Sequence, residues 1–308
     1  LRCTYCMAEE MKFLPKRDVL SLEELEQLAG AFIERGVKKI RITGGEPLVR
    51  RDIMTLMARL GRRLEKGDFD ELTLTTNGTQ LVHHADVLRS LGVERINVSL
   101  DTLDDAKFER LTRRNALSKV IAGLDAAQNA GLKVKINTVA LKGVNEEEIP
   151  AMIVWAHGRG MDLTLIEVMP LGEIEEDRVD QYLPLTAVRD DLQKRWTLTP
   201  VDKTTGGPAR YLKVEETGGV LGMITPLTNN FCAGCNRVRV TCTGEIYMCL
   251  GHGDKIDLRA AMRGPEPEAA LDAALDRAML KKPERHAFEI SERGQAPAVR
   301  RHMSVTGG

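Results

Sequence analysis

Cys3 and Cys6 bracket Thr4 and Tyr5 at one end of a 308-residue chain. Cys232, Cys235 and Cys249 stand near the other end in the spacing C-x2-C-x13-C. Thiolates grouped like this ligate zinc or iron–sulfur clusters. Two thiols cannot close a four-coordinate site alone. Three leave one position of a four-iron cluster open, unless His252 joins Cys232, Cys235 and Cys249 in a closed Cys3His zinc site. A zinc knuckle or a redox CxxC pair is the plainer reading of Cys3 and Cys6. Cys242 falls outside the spacing and reads as an ordinary semi-buried thiol. Cysteines in two clumps, with no signal-like apolar stretch at the start, point to a reduced, cytoplasmic setting and away from disulfides.

A second chemistry-bearing stretch is RITGGEP, residues 41–47. Gly44 and Gly45 allow backbone polar groups to approach a ligand with no Cβ in the way. Glu46 can pair with a cationic group, and Pro47 stiffens the exit. Arg237 and Arg239 alternate in NRVR, so on a strand both project to one face. Ser99 and Thr75 read, on the residues alone, as strand ends with local hydrogen bonds, and Lys135 as a solvent-facing strand residue. Asn77-Gly78 reads as turn chemistry.

The 44 basic and 45 acidic residues leave a net charge of −1, so a broad DNA-binding surface is not indicated. A few cations inside a pocket could still hold a small anion. No apolar run reaches membrane-spanning length, and no membrane role is expected.

The elements that position these residues alternate. Strands are predicted at 38–43, 71–76, 94–100, 132–141 and 162–169, with a further strand near the N-terminus. Helical spacing fits 21–35, 52–64, 87–91, 118–130 and 146–157. Ser21 and Glu24 make a capping box, and Gly36 a helix stop. Strand–helix repetition implies parallel strands. Polar, Gly-rich signals recur at strand C-terminal ends, so an incomplete (β/α) barrel fits better than a doubly wound sheet. Beyond about residue 200 the pattern changes. Residues 236–249 read as a hairpin turning at Thr243-Gly244, followed by a helix at 267–280. The division expected is a partial barrel over 1–215 and a C-terminal region over 216–308.

Taken together, these stretches resemble the radical S-adenosylmethionine (SAM) superfamily, and within it the GTP 3′,8-cyclases of molybdenum cofactor biosynthesis. TGGEP, TTNG, INVSLD, VKIN, IEVMPLG, CxxCNRVR and Gly307-Gly308 fall in that family's order along the whole chain. The resemblance implies an α/β fold, an incomplete (β/α)6-type radical SAM barrel with a C-terminal cluster-binding extension. It implies SAM and two 4Fe–4S clusters as cofactors. The family's C-x3-C-x2-C puts a first cysteine four residues before Cys3, so the chain is expected to begin inside the motif and to hold this cluster poorly by itself.

The roles that the resemblance implies are these. Cys3 and Cys6 ligate the SAM cluster, and Cys232, Cys235 and Cys249 ligate a second one whose open iron takes the guanine. Tyr5, Gly44, Gly45, Glu46, Ser99 and Met169 hold SAM. Arg41, Thr75, Lys135, Arg237, Val238 and Arg239 hold GTP. Gly307 and Gly308 reach back into the active site. Reductive SAM cleavage gives a 5′-deoxyadenosyl radical that takes the ribose 3′ hydrogen, and the C3′ radical attacks guanine C8. Implied partners are GTP, an electron donor such as flavodoxin or ferredoxin, a downstream cyclic pyranopterin monophosphate synthase, and a second copy in a homodimer. Thr164 stands where the family often has arginine, so no contact is assigned there. The alternatives are a radical SAM peptide-modifying enzyme with an auxiliary cluster, or a non-catalytic zinc-stabilised binding protein.

Overall fold

Alternation along five short strands decides the architecture. In β1 (Lys39–Ile42), β2 (Glu71–Thr76), β3 (Arg95–Ser99), β4 (Lys133–Ala140) and β5 (Asp162–Glu167), apolar residues take every second position. Leu72, Leu74, Ile96, Val98, Val134, Ile136, Leu163 and Leu165 enter one large core. The intervening residues, among them Arg41, Thr75, Asn97, Lys135 and Asn137, therefore face the opposite side, because a strand sends successive side chains to opposite faces. The result is a barrel wall that is apolar toward its helices and polar toward its lumen.

The computed structural model describes residues 1–6, 14–174 and 178–307. The five strands pair in parallel in chain order. The outer layer comprises α1 (Leu22–Glu34), α2 (Ile53–Glu65), α3 (Leu81–Ser90), α4 (Asp105–Thr112), α5 (Leu117–Asn129) and α6 (Ile149–Gly158). The capping box is present: Glu24 N–H donates to Ser21 Oγ at 3.1 Å, and Ser21 N–H to Glu24 Oε2 at 2.7 Å.

Two short helices, α7 (Arg178–Gln181) and α8 (Leu185–Leu192), lead to β6 (Leu198–Val201), β7 (Arg210–Val214) and β8 (Val220–Ile224). The sheet order is β1-β2-β3-β4-β5-β8-β7-β6, with β8 parallel to β5 and the last two strands antiparallel. The sixth parallel position is thus filled by Val220–Ile224. No strand precedes β1 among the described residues, contrary to the expectation of one near the N-terminus.

The C-terminal part adds a small antiparallel sheet of β9 (Arg239–Val240), β10 (Glu245–Tyr247) and β11 (Lys255–Asp257), then α9 (Leu258–Met262), α10 (Pro267–Leu280) and α11 (Met303–Thr306). The hairpin turns where expected, with Gly244 at φ +83°. Leu20 and Leu28 pack with Ile246, Met248, Leu258, Leu271 and Leu275 in a second core, so this region is seated on α1. Ion pairs Arg35–Asp272 (2.5 Å) and Arg263–Glu24 (2.6 Å) flank that seam. Among the described residues no helix is long and apolar enough to cross a membrane.

Candidate active site

One cavity of about 550 Å³ takes in both cysteine groups. Thr43, Asn77, Ser99, Val139 and Met169 line it, and all lie at or just past strand C-terminal ends. That is the end at which barrel enzymes assemble their chemistry. Cys3, Cys6, Cys232, Cys235 and Cys249 all reach it, as do Tyr5, Gly44, Gly45, Glu46, Arg41, Thr75, Lys135, Arg237 and Arg239.

The N-terminal thiols are held by a buttress. Arg2 and Thr4 donate their N–H groups to the carbonyls of Thr112 and Leu111 at the end of α4, both at 2.9 Å. Tyr5 Oη–H donates to Asp101 Oδ2 at 2.6 Å, and Val139 N–H donates to the other oxygen at 2.8 Å. Asp101 is fully buried, and burial lifts its carboxyl to about 6 despite these donors. Burial, reinforced by Asp101, pushes the Cys6 thiol up to about 11 and raises Cys3 still further. Such thiols surrender their protons to a metal and not to water. At the end of β1, no atom lies within 4 Å of where a Cβ would stand on Gly44 or Gly45, and Gly44 has φ +137°. This bare cradle beside two soft ligands fits SAM next to a cluster.

The C-terminal thiols sit among cations. Arg237 Nη2 lies 3.9 Å from Cys235 Sγ, and Lys282 Nζ lies 4.0 Å from it. Burial alone would raise Cys235, but the Arg237 backbone N–H and the charges of Arg237 and Lys282 bring it below its ordinary value. Burial raises Cys249. Arg301 donates to the carbonyls of Leu250 (2.6 Å) and His252 (3.1 Å) and lies over the Tyr247 ring at 4.0 Å. The thiol triad fits a cluster with one iron left open. His252 does not join it: its Nε2–H donates to the Arg285 carbonyl at 2.9 Å, and it does not line the cavity. The Cys3His zinc alternative is thereby left without its fourth ligand.

Between the two thiol sites the lumen is crowded with like charge. Burial, then Arg95 and Arg237, hold Arg41 down to about 10. Burial, then Arg237 and Arg41, do the same to Arg239. Lys135 falls to about 7 through burial and through Arg41, Arg95 and Lys39. Arg41 Nε and Asn137 Oδ1, on residues that line the cavity, are buried with no hydrogen-bond partner among the described residues. Each such orphan costs about 1–3 kcal/mol unless a ligand satisfies it. Mutually repelling cations beside unsatisfied donors and acceptors describe a site for a buried polyanion.

The tail closes the ring. Gly172 N–H donates to the Val299 carbonyl and Ala298 N–H to that of Pro170, at 2.8 and 2.9 Å, which threads the tail past β5. Met303 and Ser304 then line the cavity. Arg239 Nη1 donates to the Gly307 carbonyl at 2.6 Å. Gly307 has φ +72°, and a Cβ there would stand 2.3 Å from Thr43 Cγ2, so only glycine fits. Gly308 lies outside the described residues.

Several sequence expectations need adjustment. Val238, expected beside GTP, turns its side chain into the second core and does not line the cavity. Glu46 lines the cavity, but its carboxylate accepts from Asn77 N–H (2.6 Å), Thr76 Oγ1 (2.8 Å) and Leu48 N–H (3.0 Å), so it braces two loops with neutral donors. Asn77 is turn chemistry as expected, accepting from Thr79 N–H at 3.0 Å. Cys242, expected to be semi-buried, is exposed because it faces outward at the hairpin turn. Asp101, Lys282 and Arg301 escaped the sequence reading. For Asp101 the signal was the carboxylate two residues beyond Ser99; a lysine after a helix and an arginine in a tail carry none.

Residues 1–156 match the Radical SAM superfamily, and residues 161–288 match Molybdenum Cofactor Synthesis C. The chain is 64% identical, over its whole length and 92% of the relative's, to a GTP 3′,8-cyclase of Erythrobacter litoralis (strain HTCC2594). It is 62% identical to that of Rhizobium etli (strain CIAT 652), covering all of this chain and 88% of the relative. Among solved structures, Streptococcus suis SuiB bound to S-adenosylmethionine aligns with a TM-score of 0.62 at 17% identity, over 91% of this chain and 63% of SuiB. Native anSMEcpe with bound AdoMet aligns with a TM-score of 0.58 at 15% identity, over 89% of this chain and 79% of that one. At these identities the structures speak to the fold alone.

Proposed function

Since the chain belongs to the GTP 3′,8-cyclase family of radical SAM enzymes, we propose that its own residues divide the work among three zones of one cavity. The reaction is the conversion of GTP to (8S)-3′,8-cyclo-7,8-dihydroguanosine 5′-triphosphate in molybdenum cofactor biosynthesis, a lyase reaction. SAM and two 4Fe–4S clusters are the cofactors, and when bound they supply the electron, the radical and a vacant iron. Cys3 and Cys6 hold the first cluster, with Gly44, Gly45, Ser99, Met169 and the Tyr5 backbone shaping the SAM bed and Glu46 bracing it. Cys232, Cys235 and Cys249 hold the second. Arg41, Lys135, Arg237 and Arg239 bind the triphosphate, with Thr75 beside them.

The crowding of Arg41, Lys135 and Arg239, each with its charge disfavoured by burial and by its neighbours, carries this reading. A triphosphate relieves that repulsion, and the surrounding wall excludes water from a reactive intermediate. Gly307 brings the tail onto Arg239, and Gly308 is assigned a catalytic role beside it. The division into residues 1–215 and 216–308 is proposed as one of ligand sets and not of sheets, since β8 of the second segment pairs with β5 of the first. An electron donor such as flavodoxin or ferredoxin, a downstream cyclic pyranopterin monophosphate synthase, a homodimeric state and a cytoplasmic setting belong to the same proposal.

The test is anaerobic reconstitution of the protein with iron and sulfide, followed by incubation with SAM and reductant. 5′-Deoxyadenosine formed in step with GTP consumption supports the reading. Formation at an equal rate without GTP, with GTP recovered unchanged, sinks it.

A further inference from the structure

Lys282 sits just beyond the C-terminus of α10 and reaches across to both arms of the C-terminal thiol triad. Its Nζ donates to the Arg237 carbonyl at 2.9 Å and to the Met248 carbonyl at 2.8 Å. Arg237 lies two residues past Cys235, and Met248 lies immediately before Cys249. One ammonium therefore ties the CxxC arm to the hairpin arm. The same nitrogen stands 4.0 Å from Cys235 Sγ.

We propose that Lys282 is a positioning residue for the C-terminal cluster: it fixes the separation of the two ligand arms and holds the cluster's reduction potential up with a fixed positive charge beside Cys235. This rests on the reading of Cys232, Cys235 and Cys249 as cluster ligands. Partners of ligand atoms set ligand orientation, and their loss costs about 10–100-fold in metal affinity. Reduction adds an electron to the cluster, so a nearby cation favours the reduced form, and net charge and hydrogen bonding to sulfur tune such potentials widely. A lysine that served only to end α10 would need neither carbonyl and would not approach a sulfur.

The test uses the full chain with Cys3→Ser and Cys6→Ser, so that only the C-terminal cluster assembles. Lys282→Gln keeps a donor but removes the charge, and Lys282→Arg keeps the charge. Potentiometric titration followed by electron paramagnetic resonance should place the Lys282→Gln midpoint below the parent's and the Lys282→Arg midpoint beside it. Iron loss to a chelator should be about 10–100-fold faster in Lys282→Gln and close to the parent's in Lys282→Arg. Should Lys282→Gln fold but take up no cluster while Lys282→Arg takes up a full one, the charge-held staple is again supported. A Lys282→Gln midpoint equal to the parent's at equal iron content overturns the proposal, as does equal loss of cluster in both variants. If the parent itself binds no iron and sulfide, the cluster reading falls first and takes this inference with it.

Discussion

Cys3 and Cys6 lie part-buried beside a buried carboxylate, Asp101, whereas Cys235, also part-buried, lies beside Arg237 and Lys282. The ligand atoms are identical and the fields are opposite. An anionic setting disfavours adding an electron, so a cluster held by Cys3 and Cys6 would be the stronger reductant of the two. A cationic setting favours the reduced form and draws in an anionic substrate. The contrast teaches that ligand spacing names the cofactor, while the surrounding charge decides its use. The cysteine pair's end of the cavity suits electron delivery and the triad's end suits substrate capture.

The comparison breaks most severely at the ligands themselves. Cys6→Ala should abolish SAM cleavage altogether. Cys235→Ala should abolish GTP turnover while leaving slow, GTP-independent SAM cleavage. Iron content and 5′-deoxyadenosine yield check both, and identical phenotypes would erase the distinction between the sites. Next comes Arg239→Ala, which strips a part-buried cation from the lumen and unpairs the Gly307 carbonyl. GTP affinity should fall by about 2–4 kcal/mol, roughly 30- to 1000-fold by equilibrium binding, with SAM affinity unchanged.

A smaller effect falls on the other site. Asp101→Ala leaves the Tyr5 hydroxyl and the Val139 N–H unpaired, at about 1–3 kcal/mol each. The melting temperature and the N-terminal iron should drop, while the C-terminal iron stays. The gentlest test is pH. Lys135 in the free protein is brought down to about 7, so above pH 7 it is increasingly neutral. Triphosphate binding favours its charged form and draws in a proton. GTP affinity should therefore weaken from pH 7 to 9, by up to about tenfold per unit. Lys135→Arg should flatten that slope.

Much of this arrangement was legible in the residues. The Ser21–Glu24 box, the Thr243-Gly244 turn and five of the strands follow from local rules that need no distant partner. The lumen was half legible: on the residues alone Lys135 read as solvent-facing, and only the curl of the sheet turns its face, with Arg41, into the cavity. Helix α3 begins at Leu81, well before the expected start at 87, because His83 and His84 mask an apolar face of Leu81, Ala85 and Leu88. The strand Val220–Ile224 reads as a strand, yet its pairing with β5 skips the intervening β6 and β7, and no local pattern encodes that. Lys282 and Arg301 were invisible for the same reason, since they act on backbone carbonyls between 34 and 51 residues away along the chain.

The central claim is that the cations hold the phosphates and the C-terminal triad takes the base. It is tested most directly by electron paramagnetic resonance of the reconstituted Cys3→Ser/Cys6→Ser protein, recorded alone, with inorganic triphosphate and with GTP. A spectrum that changes with GTP and stays put with triphosphate, although both bind, is the predicted result. The same spectrum in all three samples, with GTP shown to be bound, would contradict it.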